Sequence, residues 1–104
     1  FLGKILNDVD NNNLRALIDA YKKKIGSGIV LLINTSSSKI NIICGVTEDL
    51  TSKFSAVDIV RKASEATGGK GGGGRPDMAQ AGGTDGTRAN EAIETIKLFI
   101  SEKA

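Results

Sequence analysis

The segment from Gly68 to Gly83 holds the residues of this chain best suited to chemistry, because it combines bare backbone with positive charge. It reads GGKGGGGRPDMAQAGG, and eight of its sixteen residues are glycine. Lys70 lies inside the run, and Arg75 closes it directly before the only proline of the chain, Pro76. Glycine lets backbone N–H groups approach an anion closely, and neighbouring cations add electrostatic attraction. The composition of this segment therefore predicts a phosphate contact, as in a nucleotide or a nucleic acid.

Two well-known phosphate-binding patterns do not fit this segment. Residues 69–74 satisfy the spacing GxGxxG, but a dinucleotide fingerprint follows a strand and opens a helix. Here the segment follows a predicted helix and is closed by Arg75 and Pro76. The P-loop pattern is absent as well, since no Gly-Lys-Ser/Thr occurs at the required spacing. The alternative is a flexible connector that binds nothing, and the residue types alone leave it open, although a connector has no need of Lys70, Arg75 and the PDMAQ that follows.

The residue types of the whole chain exclude several classes of site. With no His and a single Cys, the 104 residues exclude Cys/His zinc sites, His-based acid–base catalysis, Ser-His-Asp triads and an internal disulfide. Cys44 lies in an apolar run and is interpreted as a small buried hydrophobe. Glu48, Asp49 and Asp77 are interpreted as turn and cap residues, not as metal ligands. No apolar run is long enough to span a membrane and no signal-peptide pattern is present, which favours a reducing, cytoplasmic setting without a membrane partner.

Positive charge is unevenly distributed along the chain, although the formal net charge is only +2. Residues 11–28 and residues 51–75 each carry a net charge of +3, whereas residues 76–104 carry −2. Two basic segments followed by an acidic tail favour an anionic partner. We predict that the two basic segments form one patch around the glycine segment. The residues predicted to widen that patch are Lys22, Lys23, Arg61 and Lys62.

Hydrophobic periodicity in the first half of the chain predicts the elements that position these residues. Residues 1–9 are predicted as a strand, and Asp10 or Asn11 caps the helix that follows. The apolar residues of this helix recur at helical spacing, and Gly26 ends it. Residues 29–33 form an unbroken apolar run, which is typical of a strand buried on both faces. The next strand, Ile40 to Val46, follows a short polar turn and is predicted to pair with it as a hairpin.

The second half of the chain supplies two helices and a short strand. A helix from about Ser55 to Thr67 is predicted to begin with a capping box formed by Ser55 and Asp58. Met78 to Ala81 is predicted as a short edge strand because Pro76 lies just before it. Residues 89–100 have the pattern of a last amphipathic helix. The fold class is therefore α/β (of the α+β type), a small mixed sheet with about three helices packed on it, in a single domain of residues 1–104.

The glycine segment also carries a family resemblance. GGKGGGGRPDMAQAGGTD resembles the signature of the C-Ala domain, which lies at the C-terminus of alanyl-tRNA synthetases. The resemblance extends upstream through LRALIDAYKKKIGSGIVLLINT, CGVTEDLT and AVDIVRKASEAT, so that it covers nearly all of the chain. The C-Ala domain belongs to the wider DHH-associated domain type, found also at the C-terminus of DHH-type phosphoesterases. The resembled signature has three glycines between Lys70 and Arg75, whereas this chain has four.

The resemblance implies a non-catalytic tRNA-binding domain, the last domain of a longer synthetase. Such a domain contacts the outer corner of the tRNA and supports aminoacylation and editing by the other domains. The implied partners are tRNA-Ala and the other synthetase domains, with a homodimer as a further expectation. No cofactor is expected in this chain, whereas ATP, Mg and Zn are expected in the other domains of an alanine–tRNA ligase. The residues predicted to contact RNA are Lys70, Gly71, Gly72, Gly73, Gly74, Arg75, Gln80, Lys22, Lys23, Arg61 and Lys62.

Roles within the predicted RNA contact follow from side-chain chemistry. Lys70 and Arg75 would contact phosphate, and Arg75 has the better geometry because a guanidinium meets phosphate as a fork. The backbone N–H groups of Gly71–Gly74 would approach the sugar-phosphate too closely for any Cβ to fit. Gln80 would donate or accept a hydrogen bond at a base or a backbone group. Met78 is interpreted as a packing residue.

Two other functions remain open at the level of sequence. One is an oligonucleotide-binding domain of a DHH-type phosphoesterase, but the shorter motif expected of those enzymes contains His, which this chain lacks. The other is a structural dimerisation domain without RNA contact. In that interpretation the apolar strand of residues 29–33 and the edge strand pair with a second copy of the chain.

Overall fold

The computed structural model describes residues 1–36, 39–69 and 71–103 (for Asn11 the backbone only), and these residues form five strands and three α-helices. In chain order the elements are β1 (Leu2–Asn7), α1 (Asn11–Ile25), β2 (Ile29–Ser36), β3 (Lys39–Val46), α2 (Ala56–Ala66), β4 (Gly72–Arg75), β5 (Met78–Gly83) and α3 (Ala89–Lys103). Short 3₁₀ turns precede α2 at Glu48–Leu50 and α3 at Gly86–Arg88. The predicted architecture, a mixed sheet with three helices packed on it, is confirmed.

The strands form one mixed sheet in the order β1-β2-β3-β5-β4. β1 is parallel to β2, and every other neighbouring pair is antiparallel. The predicted hairpin of β2 and β3 is confirmed, with direct pairs from Ile29 opposite Val46 to Ser36 opposite Lys39. The predicted pairing of residues 29–33 with a second copy is wrong, because β2 lies between β1 and β3 and both of its edges are occupied.

Helices cover both faces of the sheet, which explains the unbroken apolar run in β2. α1 packs on one face over a cluster that includes Val30, Leu32 and Ile43. α2 and α3 pack on the opposite face over a larger cluster that includes Leu31 and Ile33. Side chains of a strand alternate between faces, so every position of the run meets an apolar layer. The predicted burial on both faces is confirmed.

The two ends of α1 have the capping groups that the sequence predicts. The Asp10 carboxylate accepts a hydrogen bond from the backbone N–H of Asn12 at 2.9 Å. At the other end Gly26 adopts φ 74°, a conformation that glycine reaches without steric cost, and its N–H donates to the Lys22 carbonyl at 3.0 Å. These caps fix the length of the helix.

The start of α2 is capped differently from the prediction. Ser55 is the N-cap residue, but its side chain makes no capping hydrogen bond with the described residues, so the predicted capping box with Asp58 is wrong. The box normally uses Glu or Gln at the third position, and the Asp58 side chain is one methylene shorter than Glu. The turn between β4 and β5 supplies an acceptor instead, since the Pro76 carbonyl accepts from the Ala56 N–H at 2.9 Å.

The whole stretch from Gly72 to Gly83 forms part of the sheet, whereas the sequence predicted a strand only at Met78–Ala81. Residues 72–75 form β4 at the edge of the sheet, and β5 lies inside it between β3 and β4. The predicted edge position of Met78–Ala81 is therefore wrong. The reason is the two-residue turn at Pro76 and Asp77, which folds the glycine run back onto β5 and keeps proline out of the strands.

Cys44 should react with a thiol reagent such as DTNB only after the protein unfolds. Its side chain is completely buried in β3, and this burial raises the pKa of the thiol because a thiolate is disfavoured away from water. We expect slow modification of the native protein and rapid modification in guanidinium chloride. Rapid modification of the native protein would contradict this buried position. The burial agrees with the interpretation of Cys44 as a small buried hydrophobe.

Candidate nucleic-acid interface

The register of the sheet decides which side chains of the glycine segment share a face. Residues directly opposite each other in an antiparallel pair point to the same side. Gln80 lies opposite Ile43 and Gly73, and Arg75 lies opposite Met78. Because Ile43 and Met78 belong to the apolar cluster under α1, Gln80 and Arg75 point to the α1 side of the sheet.

α1 covers β2 and β3 but leaves the outer part of its own side of the sheet uncovered. We call this uncovered part the open sheet face. Gln80 and Arg75 on it are exposed, and Asn41 is half-buried. Gly73 and Gly82 form the floor between these side chains, since Gly73 lies opposite Gln80 and Gly82 lies opposite Asn41. The residues of the open sheet face are Asn41, Gly73, Arg75, Gln80 and Gly82.

The glycines of β4 serve two different purposes. A Cβ on Gly72 would lie 2.2 Å from the Gln80 carbonyl oxygen, and one on Gly74 would lie 2.7 Å from the Met78 carbonyl oxygen. At these two positions the close approach of β5 therefore requires glycine, whatever ligand binds. By contrast, no described heavy atom lies within 4 Å of the Cβ position at Gly73. Gly73 is the glycine of β4 whose bare backbone faces solvent on the open sheet face.

Arg75 and Lys22 meet at the turn between β4 and β5. The Arg75 guanidinium lies 3.5 Å from the Asp77 carboxylate, an exposed ion pair that contributes little to stability. The Lys22 ammonium donates to the backbone carbonyl of Asp77 at 3.4 Å. Lys22 is therefore half-buried against the sheet. The side chain of Arg75 is 70% exposed, which leaves its guanidinium accessible to an anion.

The remaining predicted basic residues do not all join this surface. Lys23 is exposed on α1. Arg61 projects from α2 and donates through Nε to the Gly72 carbonyl at 3.1 Å, so it lies at the outer edge of β4. Lys62 lies on the opposite side of the sheet, where its ammonium is 4.7 Å from the centre of the Phe99 ring. The prediction of a single basic patch is therefore wrong, since the sheet separates Lys62 from Lys22. Lys70 lies outside the described residues.

A cavity of about 390 Å³ lies at the end of the sheet, next to the open sheet face. We call it the glycine cavity, because five glycines line it together with four other residues. Its size falls at the lower end of the range for small-molecule sites. Asn41 lies in the wall that the cavity shares with the open sheet face, and Lys39 and Thr84 add an ammonium and a hydroxyl. The lining residues are Lys39, Ile40, Asn41, Gly68, Gly69, Gly71, Gly82, Gly83 and Thr84.

Sequence reasoning missed three residues that shape this surface. Asn41 interrupts the apolar run of β3, and a lone polar side chain in a strand is a signal that it faces outward. Lys39 precedes the same run and carries no signal beyond its charge. Gly82 lies in the motif but outside the run of four glycines, and only the pairing of β3 with β5 shows that it lies beside Asn41.

Asp49, one of the two acidic residues that follow β3, has a structural role. The Asp49 carboxylate accepts a hydrogen bond from the Ser27 hydroxyl, and this bond, with a second from Thr47, lowers the pKa of Asp49 below its usual range. No group of three or more His, Cys, Asp or Glu residues within the described ranges is close enough to hold a metal ion.

Among the described helices, none has the length and apolar character needed to cross a membrane.

The chain is similar in sequence to known proteins along nearly its whole length. A family model described as the DHHA1 domain matches residues 1–102. The alanine–tRNA ligase of Rhizobium meliloti (strain 1021) is 57% identical over 97 residues, which cover 92% of this chain and 11% of that protein. The alanine–tRNA ligase of Sinorhizobium medicae (strain WSM419) is 54% identical over 102 residues, which cover 97% of this chain and 12% of that protein. The chain thus spans only about one ninth of the length of these relatives.

A solved structure has the same fold. The crystal structure of the C-Ala domain from Aquifex aeolicus alanyl-tRNA synthetase matches with a TM-score of 0.85 and 29% sequence identity. The match covers 92% of this chain and 86% of the solved one.

Proposed function

The chain belongs to the DHHA1 domain family, and from this membership we propose that it binds tRNA as the C-terminal domain of an alanine–tRNA ligase. We propose that residues 1–104 act as one non-catalytic module, that tRNA-Ala is its partner, and that it contacts the outer corner of the tRNA. In this proposal the chemistry of aminoacylation and editing, with its ATP, Mg and Zn, belongs to other domains. Cytoplasmic location and a homodimer are parts of the same proposal.

The open sheet face is the observation that carries this proposal. A sheet surface floored by Gly73 and Gly82 lets a sugar-phosphate backbone lie closer to the peptide groups than any larger residue would allow. Arg75 stands at one end of it with an accessible guanidinium, which can hold a phosphate through two parallel hydrogen bonds. Gln80 and Asn41 present amide groups between these glycines, and amides can donate to or accept from a base or a ribose hydroxyl.

The face favours recognition of RNA shape over recognition of a base sequence. Phosphate contacts position a nucleic acid without reading its base sequence. Besides Arg75, the described polar side chains of the open sheet face are the amides of Gln80 and Asn41. We therefore expect the chain to bind different tRNAs with similar affinity. Binding should weaken as salt rises, because phosphate contacts release counterions from the RNA.

The decisive experiment compares two single charge removals on opposite sides of the sheet. We expect Arg75→Ala to weaken binding to tRNA-Ala about tenfold and to lower the slope of log affinity against log salt by about 1. Lys62→Ala removes the same charge but lies on the far side beside Phe99, so its affinity should match that of the unchanged chain. Affinities would be measured by fluorescence anisotropy at two salt concentrations.

Four results would contradict the proposal. Equal losses for both variants would indicate general charge attraction and not the open sheet face. No loss for Arg75→Ala would remove the phosphate role of this residue. Tighter binding of a mononucleotide or a short oligonucleotide than of tRNA-Ala would favour the phosphoesterase-type alternative, and a dimer without RNA affinity in light scattering would favour the structural one.

A further inference from the structure

Ser64 is a buried hydroxyl that joins three separate parts of the fold. It lies in the last turns of α2 and is completely buried. A serine inside a helix can donate back to a carbonyl of its own helix or point to solvent. Here Oγ instead donates to the Gly82 carbonyl at 2.6 Å and accepts from the Gly71 N–H at 3.0 Å. One side chain thus links α2 to the end of β5 and to the residue just before β4.

The backbone of Ser64 fixes a third glycine in the same place. Its carbonyl accepts from the Gly69 N–H at 2.7 Å. A Cβ on Gly69 would lie 2.2 Å from Ser64 Oγ and 2.1 Å from the Gly82 carbonyl oxygen, so the three residues are in tight contact. Gly69, Gly71 and Gly82 are all walls of the glycine cavity, and Ser64 lies behind them.

We propose that Ser64 is a positioning residue that holds the glycine segment in the shape required for RNA binding. It touches no solvent-facing ligand position itself and acts through Gly71 and Gly82. This inference rests on the function proposed above. It adds that the affinity of the interface depends on a residue outside the glycine motif.

The physical reason is the freedom of the segment that Ser64 restrains. Glycine loses more conformational entropy on ordering than any other residue. If the segment becomes ordered only when RNA binds, this loss of entropy makes the binding free energy less favourable. If the segment is already held in place, the loss does not occur on binding. Removal of the hydroxyl should therefore weaken binding without removing any contact to RNA.

The neighbouring Thr67 makes a second connection between α2 and the end of β5, one that does not use the Ser64 hydroxyl. The Thr67 carbonyl accepts from the N–H groups of Thr84 and Asp85, each at 3.0 Å. This pair of bonds ties the end of α2 to the chain leaving β5. Ser64→Ala leaves these bonds in place, so we expect the variant to fold.

The test combines amide exchange with RNA binding in the same variants. In Ser64→Ala the Gly71 N–H loses its acceptor, and its hydrogen exchange in the RNA-free chain should accelerate about tenfold. The affinity for tRNA-Ala should fall about three- to tenfold. The salt dependence of binding should stay the same, because no phosphate contact is lost. A residue that contacts phosphate would change that slope.

A matched control separates positioning from general destabilisation. Val60 lies one helical turn earlier on α2, is also completely buried and packs in the core, but its side chain has no group that could hydrogen-bond to Gly71 or Gly82. Val60→Ala should lower the melting temperature but leave the tRNA affinity and the Gly71 exchange rate unchanged at temperatures where both variants are folded. Should Ser64→Ala not fold, Ser64→Cys carries the same test, because it places a thiol at this position, a larger group but a far weaker hydrogen-bond donor and acceptor.

The outcomes distinguish this inference from the function on which it rests. Unchanged exchange at Gly71, or faster exchange with unchanged affinity, would overturn the positioning role. An equal loss of affinity in Val60→Ala would overturn it too, since the effect would then follow stability. If the unchanged chain does not bind tRNA at all, the proposed function fails, while faster exchange in Ser64→Ala would still support Ser64 as the anchor of the glycine segment.

Discussion

Gly72→Ala should lower the free energy of unfolding by about 3 kcal/mol, because overpacking against backbone cannot be relieved by a side-chain movement. A Cβ at this position would lie 2.2 Å from the Gln80 carbonyl oxygen and 2.5 Å from Cβ of Ala81. Both atoms belong to β5, which is held between β3 and β4. Thermal unfolding followed by circular dichroism should show a Tm lower by about 12–24 °C.

The neighbouring glycine provides the control for this prediction. Gly73→Ala makes the same chemical change one residue further along β4, where no described heavy atom lies within 4 Å of the new methyl group. Alanine loses less backbone entropy than glycine on folding, so we expect stability to stay the same or to rise by up to about 1 kcal/mol. Equal losses at both positions would contradict the pairing of β4 with β5.

Leu31→Ala should cost about 3–4 kcal/mol of unfolding free energy. Leu31 lies in β2, is completely buried, and belongs to the cluster between the sheet and the helices α2 and α3. Shortening it removes transfer free energy and leaves a cavity that a sheet with strands on both sides cannot close. Urea denaturation should show a lower midpoint with an unchanged slope, since the unfolded chain exposes nearly the same surface.

The same substitution at an exposed leucine separates burial from residue type. Leu98 lies on the outer surface of α3 and is 63% exposed. Leu98→Ala should change stability by no more than about 0.5 kcal/mol, and alanine has a high helix propensity. A loss as large as that of Leu31→Ala would mean that the outer surface of α3 is covered by another part of the protein.

The elements with a strong side-chain period were predictable from the sequence. α1 and α3 follow from apolar residues at helical spacing, and β2 follows from an unbroken apolar run between turn residues. β4 was not predictable in this way, because a run of glycines has neither a period nor a preference for strands. Its conformation comes from the hairpin turn and from pairing with β5, and the local sequence pattern shows neither.

The candidate site was predictable in composition but not in geometry. Arg75, Gln80 and Gly73 were found from the motif, and the sheet register brings them to one face. Lys22 and Lys62 look alike in sequence as members of basic helices, but their helices pack on opposite sides of the sheet. Ser64 gave no signal at all, because its partners are backbone groups that a sequence pattern cannot show.

The turn at Pro76 and Asp77 has a consequence for how the length of the glycine run can vary. Arg75 lies opposite Met78 directly across this turn. The turn, and not the start of the glycine run, therefore sets the register of Arg75 in the sheet. A run with one glycine fewer would shift the residues before Gly72, while Arg75 would keep its neighbour and its side of the sheet. A change in the number of glycines would thus be taken up before Gly72 and not at the turn. An insertion or deletion before Gly72 would therefore leave the position of the Arg75 side chain unchanged.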